Sequence, residues 1–242
     1  MLRIEANSLE PGENMIEMQD VVKKYPNGIM AANRLNILIK QGEFIYVVGP
    51  SGAGKSTFVK MMYREEKPTS GKILVNGIDL ATLKDRKVPY LRRSIGVVFQ
   101  DFKLLPTLTV FENVAFALEV TENRPKDIKR KVMDVLSLVG LKHKMRMLPT
   151  ELSGGEQQRV SIARSIVNNP KLIIADEPTG NLDPDTAWEI MSILQEINLQ
   201  GTTVIMATHN KEIVNTIKHR VVAIENGRIV RDEQRGEYGY EG

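Results

Sequence analysis

Apolar and polar residues follow different patterns in different parts of the chain. Continuous apolar runs at Phe44–Val48, 172–175 and 202–207 predict fully buried strands of a parallel sheet. Residues 16–47 and 71–80 instead alternate between apolar and polar positions, which predicts an antiparallel β layer. Two kinds of β structure are therefore expected within one chain.

Helical spacing of apolar residues fills much of the remaining sequence. Residues 56–62 predict a helix directly after the Phe44–Val48 strand, and residues 128–136 predict another. The second helix lies in a mostly helical insert expected between Gln100 and Leu152. The resulting α/β protein has a mostly parallel core sheet, built from Phe44–Val48 and segments of about 160–230, with helices around it.

A glycine-rich segment joins the predicted strand at Phe44–Val48 to the helix that follows. Its glycines permit positive φ and close approach, so that successive backbone amides can surround phosphate groups at a helix N-terminus. In such a loop Lys55 reaches the β and γ phosphates of a bound nucleotide and Ser56 binds Mg²⁺. A glycine-rich turn without a ligand is the alternative. The predicted ATP-binding residues of this segment are Gly49, Pro50, Ser51, Gly52, Ala53, Gly54, Lys55, Ser56 and Thr57.

Two adjacent carboxylates follow the apolar run at 172–175. A buried parallel strand that ends in this way delivers its charges to the carboxyl edge of the sheet. Asp176 is predicted to hold Mg²⁺, and Glu177 to orient or deprotonate the attacking water. The alternative is an acidic pair that serves solubility.

A third motif, Leu-Ser-Gly-Gly-Glu-Gln at 152–157, lies along the chain between the glycine-rich segment and the pair of carboxylates. With these motifs, residues 16–229 resemble the nucleotide-binding subunits of ABC transporters. The resemblance implies the P-loop ABC ATPase fold and ATP hydrolysis. It also implies a single ABC domain over 15–242 with a helical subdomain inserted at about 101–160. Residues 1–14 then form an N-terminal extension whose origin the sequence leaves open.

The resemblance also assigns roles to individual residues. Tyr25 corresponds to the aromatic residue that stacks on adenine, Gln100 to the glutamine that contacts Mg²⁺ and senses the γ-phosphate, and His209 to the histidine that caps it. Glu177, His209, Lys55 and Gln100 are the implied catalytic residues. The 152–157 segment corresponds to the signature motif of the family, whose residues close on the nucleotide of a second subunit, so that ATP binding forms a homodimer. The residues implied at this dimer contact are Ser153, Gly154, Gly155, Gln157 and Asp183.

Each of these assignments has a plainer alternative. Tyr25 can be a surface aromatic residue, Gln100 a strand end, and His209 a hydrogen-bonded structural residue. Ser153 with Glu156 is also a helix-start signal. That interpretation agrees with the functional one, because a capped helix N-terminus attracts phosphate.

Finer features point to one branch of the family. Gly-Asn-Leu-Asp at 180–183 is shared with lipoprotein-release and macrolide-export ATPases, whereas stretches at 88–96, 99–105 and 201–209 resemble the bacterial cell-division branch. The end of the chain is similar to its Gram-positive form. The resemblance implies pairing with an FtsX-like integral membrane protein, and ATP cycling that regulates an extracellular peptidoglycan hydrolase. A lipoprotein-release or macrolide-type export ATPase is the alternative.

Composition limits the remaining possibilities. Of the 242 residues 42% are hydrophobic, and there is no cysteine. No apolar run approaches the roughly 20 residues that span a bilayer, and no signal peptide is recognisable, so a peripheral position on the cytoplasmic face of the membrane is expected. The formal net charge is +3. Basic clusters at 92–93, 124–131 and 142–146 are either solvated surface or contacts to anionic lipid or an acidic partner loop.

Other classes of P-loop protein fit less well. Nucleic acid is not an expected partner, since no recognised binding motif accompanies the charge. Chromosome-type members carry a long coiled-coil insert, whereas the interval here is only about 120 residues without sustained heptads. Ribosome-associated members usually carry two cassettes, and this chain has one. A metabolic P-loop kinase does not account for the motif at 152–157.

Overall fold

The computed structural model of the chain describes residues 14–121 and 124–239. Within these ranges the chain forms two sheets with helices packed around them. The strands are β1 (Asn14–Lys24), β2 (Met30–Lys40), β3 (Phe44–Val48), β4 (Ser70–Val75), β5 (Ile78–Asp79), β6 (Ile95–Phe99), β7 (Leu172–Asp176), β8 (Thr203–Ala207), β9 (Arg220–Glu225) and β10 (Arg228–Glu233). The α-helices are α1 (Lys55–Met62), α2 (Val88–Arg93), α3 (Val110–Glu119), α4 (Pro125–Leu138), α5 (Gly154–Ile166), α6 (Pro184–Leu199) and α7 (Lys211–Thr216).

The six-stranded sheet has the order β10-β9-β3-β8-β7-β6. Its central strands run parallel, and β3 and β8 are buried along their whole length, which explains their continuous apolar sequences. The predicted mostly parallel α/β core is therefore confirmed. The exception is β10, which pairs antiparallel with β9 across a tight turn at Asn226 and Gly227, two residues with positive φ.

The second sheet has the order β2-β1-β4-β5, and all of its strand pairs are antiparallel. The predicted antiparallel layer is thus confirmed. Its first predicted segment, residues 16–47, is too long, because the antiparallel sheet includes this part of the chain only as far as Lys40. Residues 44–47 belong to the six-stranded sheet instead. Helix α1 lies between the two sheets, where Phe58 and Met61 join a core cluster that contains side chains from both. Asn14, the last residue of the predicted N-terminal extension, already begins β1; residues 1–13 lie outside the described residues.

The segment between β6 and β7 is mostly helical, as its spacing predicted. Helices α3, α4 and α5 share one core cluster with strands of the six-stranded sheet. The predicted helix at 128–136 is confirmed as part of α4. None of the helices in the described part of the chain combines the length and the apolar character needed to cross a membrane.

The connection that leaves β6 has an unusual backbone. Phe102 and Lys103 both adopt left-handed conformations, with φ of 60° and 50°. The guanidinium of Arg164 on α5 donates to their two carbonyl oxygens, at 2.9 Å and 2.7 Å respectively. One side chain of α5 therefore holds the start of the helical segment.

Candidate nucleotide-binding site

Four parallel strands deliver the candidate residues to one edge of the sheet. Phe99, Asp176, Ala207 and Val47 are aligned across β6, β7, β8 and β3. The residues that follow these strands therefore leave the sheet at the same edge. The glycine-rich loop begins at this edge, and it is also where the strands before Gln100, Glu177 and His209 end. This edge is the usual position of ligands in open α/β sheets.

The glycine-rich loop has the conformation that its sequence predicted. Gly49, Gly52 and Gly54 have φ of 152°, 77° and 108°. At Gly54 a Cβ atom would also lie 2.2 Å from the carbonyl oxygen of Ala31, so that no side chain fits. Helix α1 starts directly after Gly54, and the Lys55 ammonium donates to the carbonyl oxygens of Gly49 at 2.8 Å and Pro50 at 3.2 Å. A positive side chain and a helix N-terminus thus face the same loop.

A cleft of about 520 Å³ opens beside this loop. Its lining includes predicted residues from the tyrosine turn, from the loop and from the end of β7, together with three unpredicted ones. Asn27, Ile29 and Ala31 are the additions; the first two lie in the turn after Tyr25, and Ala31 lies at the start of β2. The lining residues are Tyr25, Asn27, Ile29, Ala31, Ser51, Gly52, Gly54, Lys55, Ser56, Thr57 and Glu177. Ala53 is buried instead, and its carbonyl oxygen accepts from the Gly227 amide.

Asp176 and Ser56 form a small group of oxygen donors. The Ser56 hydroxyl lies 3.4 Å from Asp176 Oδ1. Burial raises the pKa of Asp176, the adjacent Glu177 raises it further, and the Ser56 hydrogen bond and the Lys60 and Lys55 charges oppose the shift. The carboxylate is therefore short of positive charge, which a cation would supply.

These oxygen donors suit Mg²⁺, which usually takes one or two protein ligands together with phosphate oxygens and water. Within 14–121 and 124–239, no group of three or more His, Cys, Asp and Glu side chains could hold a metal ion on its own. The pair thus fits an ion that arrives with a nucleotide.

Glu177 and His209 are in direct contact, which the sequence did not indicate. Glu177 Oε2 lies 2.8 Å from His209 Nδ1 and accepts from the His209 amide at 3.2 Å. Glu177 has φ of 50°, and its own amide donates to the Ala207 carbonyl oxygen. The amide contact holds Glu177 against the end of β8, which places its carboxylate beside the histidine.

The structure pairs Gln100 with Asn181 rather than with the Ser56–Asp176 pair. Gln100 Nε2 donates to Asn181 Oδ1 at 3.1 Å, and Asn181 Nδ2 donates to the Gln100 carbonyl oxygen at 3.3 Å. The loop after β6 and the loop after β7 are therefore joined by a reciprocal amide pair.

The signature motif forms a second phosphate-compatible helix start. Ser153 caps α5 in a capping box with Glu156, which confirms the predicted helix-start signal. A 2.5 Å ion pair with Lys144 lowers the pKa of Glu156. Gln157 Nε2 donates to the Leu152 carbonyl oxygen. Ser153 and Gln157 are not among the residues that line the cleft.

The lining of the cleft does not include Gly154, Gly155 or Asp183 either. These residues lie where α5 approaches α6. At Gly155 a Cβ atom would come within 2.2 Å of Thr186 Cγ2, whereas at Gly154 the nearest atom would be 3.6 Å away. Asp183 caps α6 by accepting from the Thr186 amide at 3.0 Å, and its hydrogen bonds with the side chain and the amide of Thr186 lower its pKa. The predicted dimer-contact residues therefore form a group apart from the cleft.

Gln158 is a positioning residue that the sequence alone did not single out. It is fully buried on α5, and its amide donates to the carbonyl oxygens of Pro178 at 2.7 Å and Phe99 at 3.3 Å. It thereby ties α5 to the ends of β6 and β7. A polar residue at an inward-facing helical position was the signal that could have revealed it.

Comparison with known proteins identifies the family. A family described as "ABC transporter" matches residues 32–180. The chain is 71% identical to the cell division ATP-binding protein FtsE of Bacillus subtilis, over 93% of this chain and 99% of that protein. It is 64% identical to FtsE of Streptococcus pneumoniae, over 94% and 99% of the two chains.

Solved structures agree with this assignment. A dimeric ATP-binding cassette, MJ0796, bound to ADP and Pi in a post-hydrolysis state, matches with a TM-score of 0.83 and 35% identity over 93% of this chain and all of that one. The predicted ABC ATPase fold is therefore confirmed, and ATP is the substrate. The chain is an ATP-hydrolysing enzyme of bacterial cell division, and it belongs to the ABC transporter family, in the FtsE group of ATP-binding proteins.

Proposed function

We propose that the protein works as an ATP-driven homodimer on the cytoplasmic face of the cell membrane. There it pairs with an FtsX-like integral membrane protein and controls an extracellular peptidoglycan hydrolase during division. The observation that carries this proposal is the separation of two phosphate-compatible helix starts. The cleft contains Lys55 and the start of α1, whereas Ser153 at the start of α5 does not line it. Two copies arranged head to tail would bring the α5 start of one to the cleft of the other.

Within one subunit, each residue of the sheet edge has a separate task. Lys55 exchanges its contacts with Gly49 and Pro50 for the β and γ phosphates. Glu177 orients or deprotonates the attacking water, and the contact with His209 holds that carboxylate in place. His209, with a side chain that is 61% exposed, remains free to face the γ-phosphate. Tyr25, which also lines the cleft, provides a ring for the adenine.

Ser56 and Asp176 are the residues that would hold Mg²⁺. When bound, the ion neutralises phosphate charge. Gln100 would join this group only after it leaves Asn181, so the amide pair sets a resting position for the loop.

The helical segment supplies the surface proposed for the membrane partner. Several of its large apolar side chains are exposed, as expected for a surface that receives another protein. These are Leu105, Phe116, Val120 and Leu148, which are 37%, 46%, 38% and 37% exposed.

Co-purification from detergent-solubilised membranes tests the partnership. We expect the wild-type protein to retain an FtsX-like integral membrane protein and Phe116→Asp to lose it, because a charge in an apolar contact is costly. Leu199→Asp is the matched control, since Leu199 is 86% exposed at the end of α6, outside the helical segment. Cells depleted of the protein should be misshapen or poorly separated.

Two results would contradict the proposal. Retention of ribosomes or DNA without a membrane protein would place the ATPase in another class. Capture of an export or lipoprotein-release permease, with normal division on depletion, would support the alternative within the same family.

A further inference from the structure

Lys23 lies against the ring of Tyr25, two residues away at the end of β1. Its ammonium is 4.9 Å from the ring centroid, and its side chain is only 14% exposed. Tyr25 lines the cleft, but Lys23 does not. A cation at this distance is attracted by the ring electrons, so that one face of the ring is already occupied by the protein.

The lysine is held in place by the segment that follows α1. Its ammonium forms a 2.6 Å ion pair with Glu66 and donates to the Lys67 carbonyl oxygen at 2.9 Å. The other end of the tyrosine is fixed to the start of the same helix, because Tyr25 Oη and Thr57 Oγ1 lie 3.2 Å apart. The ring is therefore bound to both ends of α1, the helix that begins at the glycine-rich loop.

We infer that Lys23 is a positioning residue for nucleotide binding, which covers one face of the Tyr25 ring and leaves the opposite face for the purine base. This inference rests on the proposed stacking of the base on Tyr25. It adds that the stacking surface is built by Lys23 and its anchors Glu66 and Lys67, and not by the tyrosine alone.

Two physical effects follow from this arrangement. The ring loses its freedom to turn before the nucleotide arrives, so that binding does not have to order it. The positive charge behind the ring also draws electron density away from the open face, which favours stacking of a purine with its own electron-rich surface. Both effects act on the base and neither acts on the phosphates.

The test compares two ligands that differ in the base. We would measure calorimetrically the binding of ATP and of inorganic tripolyphosphate to the purified full-length protein, with Mg²⁺ present in both cases. Lys23→Gln should weaken ATP binding by about three- to tenfold, and should change tripolyphosphate binding by less than about twofold. Lys23→Arg, which keeps a cation on the ring, should retain more of the ATP affinity than Lys23→Gln. Lys24→Gln is the matched control, because Lys24 is the exposed neighbour on the same strand.

A double-mutant cycle separates this inference from the stacking proposal. In a Tyr25→Ala background, which should itself weaken ATP binding, Lys23→Gln should have no further effect. If Tyr25→Ala weakens ATP binding and Lys23→Gln does not, the role of Lys23 is refuted while stacking stands. Equal losses for ATP and tripolyphosphate would show that Lys23 merely supports the loop. If Tyr25→Ala leaves ATP binding unchanged, the stacking proposal itself fails.

Discussion

At Asp176 folding and nucleotide binding make opposite demands on one carboxyl group. The proposed role in holding Mg²⁺ needs the group as an anion, yet burial and the adjacent Glu177 both raise its pKa. Only the Ser56 hydroxyl and two lysine charges act in the other direction. In the protein without nucleotide, the ionised form therefore reduces the free energy of unfolding.

The sign of the pH dependence follows from this shift. Because the folded-state pKa of Asp176 lies above the unfolded one, the folded protein binds the proton more tightly, and stability falls as pH rises through the interval between the two values. Asp176→Asn should therefore raise the midpoint of thermal unfolding at pH 7, by about 2–4 °C for each kcal/mol gained. The gain should shrink as the pH falls toward the ordinary aspartate pKa of about 3.9.

Thermal unfolding at several pH values, without nucleotide, measures this effect. Asp134→Asn is the control, since Asp134 is exposed on α4 and its replacement should change little. ATP hydrolysis should be lost in Asp176→Asn despite the greater stability. A midpoint at pH 7 below that of the wild type would show that Asp176 stabilises the fold.

At the residue scale, the sequence predicted which side chains gather but not how they pair. Gln100, Glu177 and His209 each follow an apolar strand, and parallel strands must end at one edge. The Glu177–His209 contact depends on a left-handed φ at Glu177, a conformation that a non-glycine residue seldom adopts. The contact of Lys23 with Tyr25 likewise depends on an anchor more than forty positions away along the chain.

At the scale of elements, the approach of α5 to α6 depends on one glycine. Gly155 leaves room for the Thr186 methyl group, which a Cβ atom would meet at 2.2 Å. Turning Thr186 aside would break the hydrogen bond between its side chain and Asp183. The helix that carries the signature motif is therefore seated directly against the helix capped by Asp183.

Gly155→Ala should accordingly lower the free energy of unfolding by about 1–3 kcal/mol, the usual range for overpacking. Adding Thr186→Ser removes the obstructing methyl group and should restore most of the loss. Gly154→Ala is the matched control, since its nearest neighbour would lie at an ordinary 3.6 Å. Urea unfolding of the four proteins measures these differences. Equal losses for the two alanine variants would mean that helix backbone effects, not the Thr186 contact, dominate.

The helices and strands themselves were largely predictable from the sequence. A strand that is buried on both faces requires a continuous apolar run, such as Phe44–Val48. The antiparallel direction of β10 was not predicted, although the Asn-Gly pair at 226–227 is a β-hairpin signal. Its direction is set by the turn at Asn226 and Gly227, which reverses the chain within two residues. Hydrophobic pattern records burial, but it does not record the direction of a strand.

At the scale of the whole molecule, the two helix starts make opposite halves of a proposed shared site. Hydrolysis would then control the lifetime of a dimer and not only the fate of the nucleotide. Glu177→Gln keeps the shape of the side chain but removes the proposed base, so ATP binding should survive while hydrolysis falls by at least about 100-fold. The closed dimer should accumulate when ATP and Mg²⁺ are added.

Size-exclusion chromatography with light scattering decides this prediction. Ser153→Arg added to Glu177→Gln should prevent the dimer while each monomer still binds ATP, because the arginine blocks the α5 start outside the cleft. An ATP-bound Glu177→Gln variant that stays monomeric at high concentration, with and without the membrane partner, would refute the shared site.

The left-handed pair Phe102 and Lys103 has a consequence for any movement of the helical segment. Left-handed backbone costs about 1–2 kcal/mol per residue for side chains larger than glycine, and here it is maintained by the two hydrogen bonds from Arg164. The folded protein therefore stores local backbone strain in this connection. A rotation that withdrew the arginine would let this backbone relax, and the energy released would offset part of the cost of separating the packed helices.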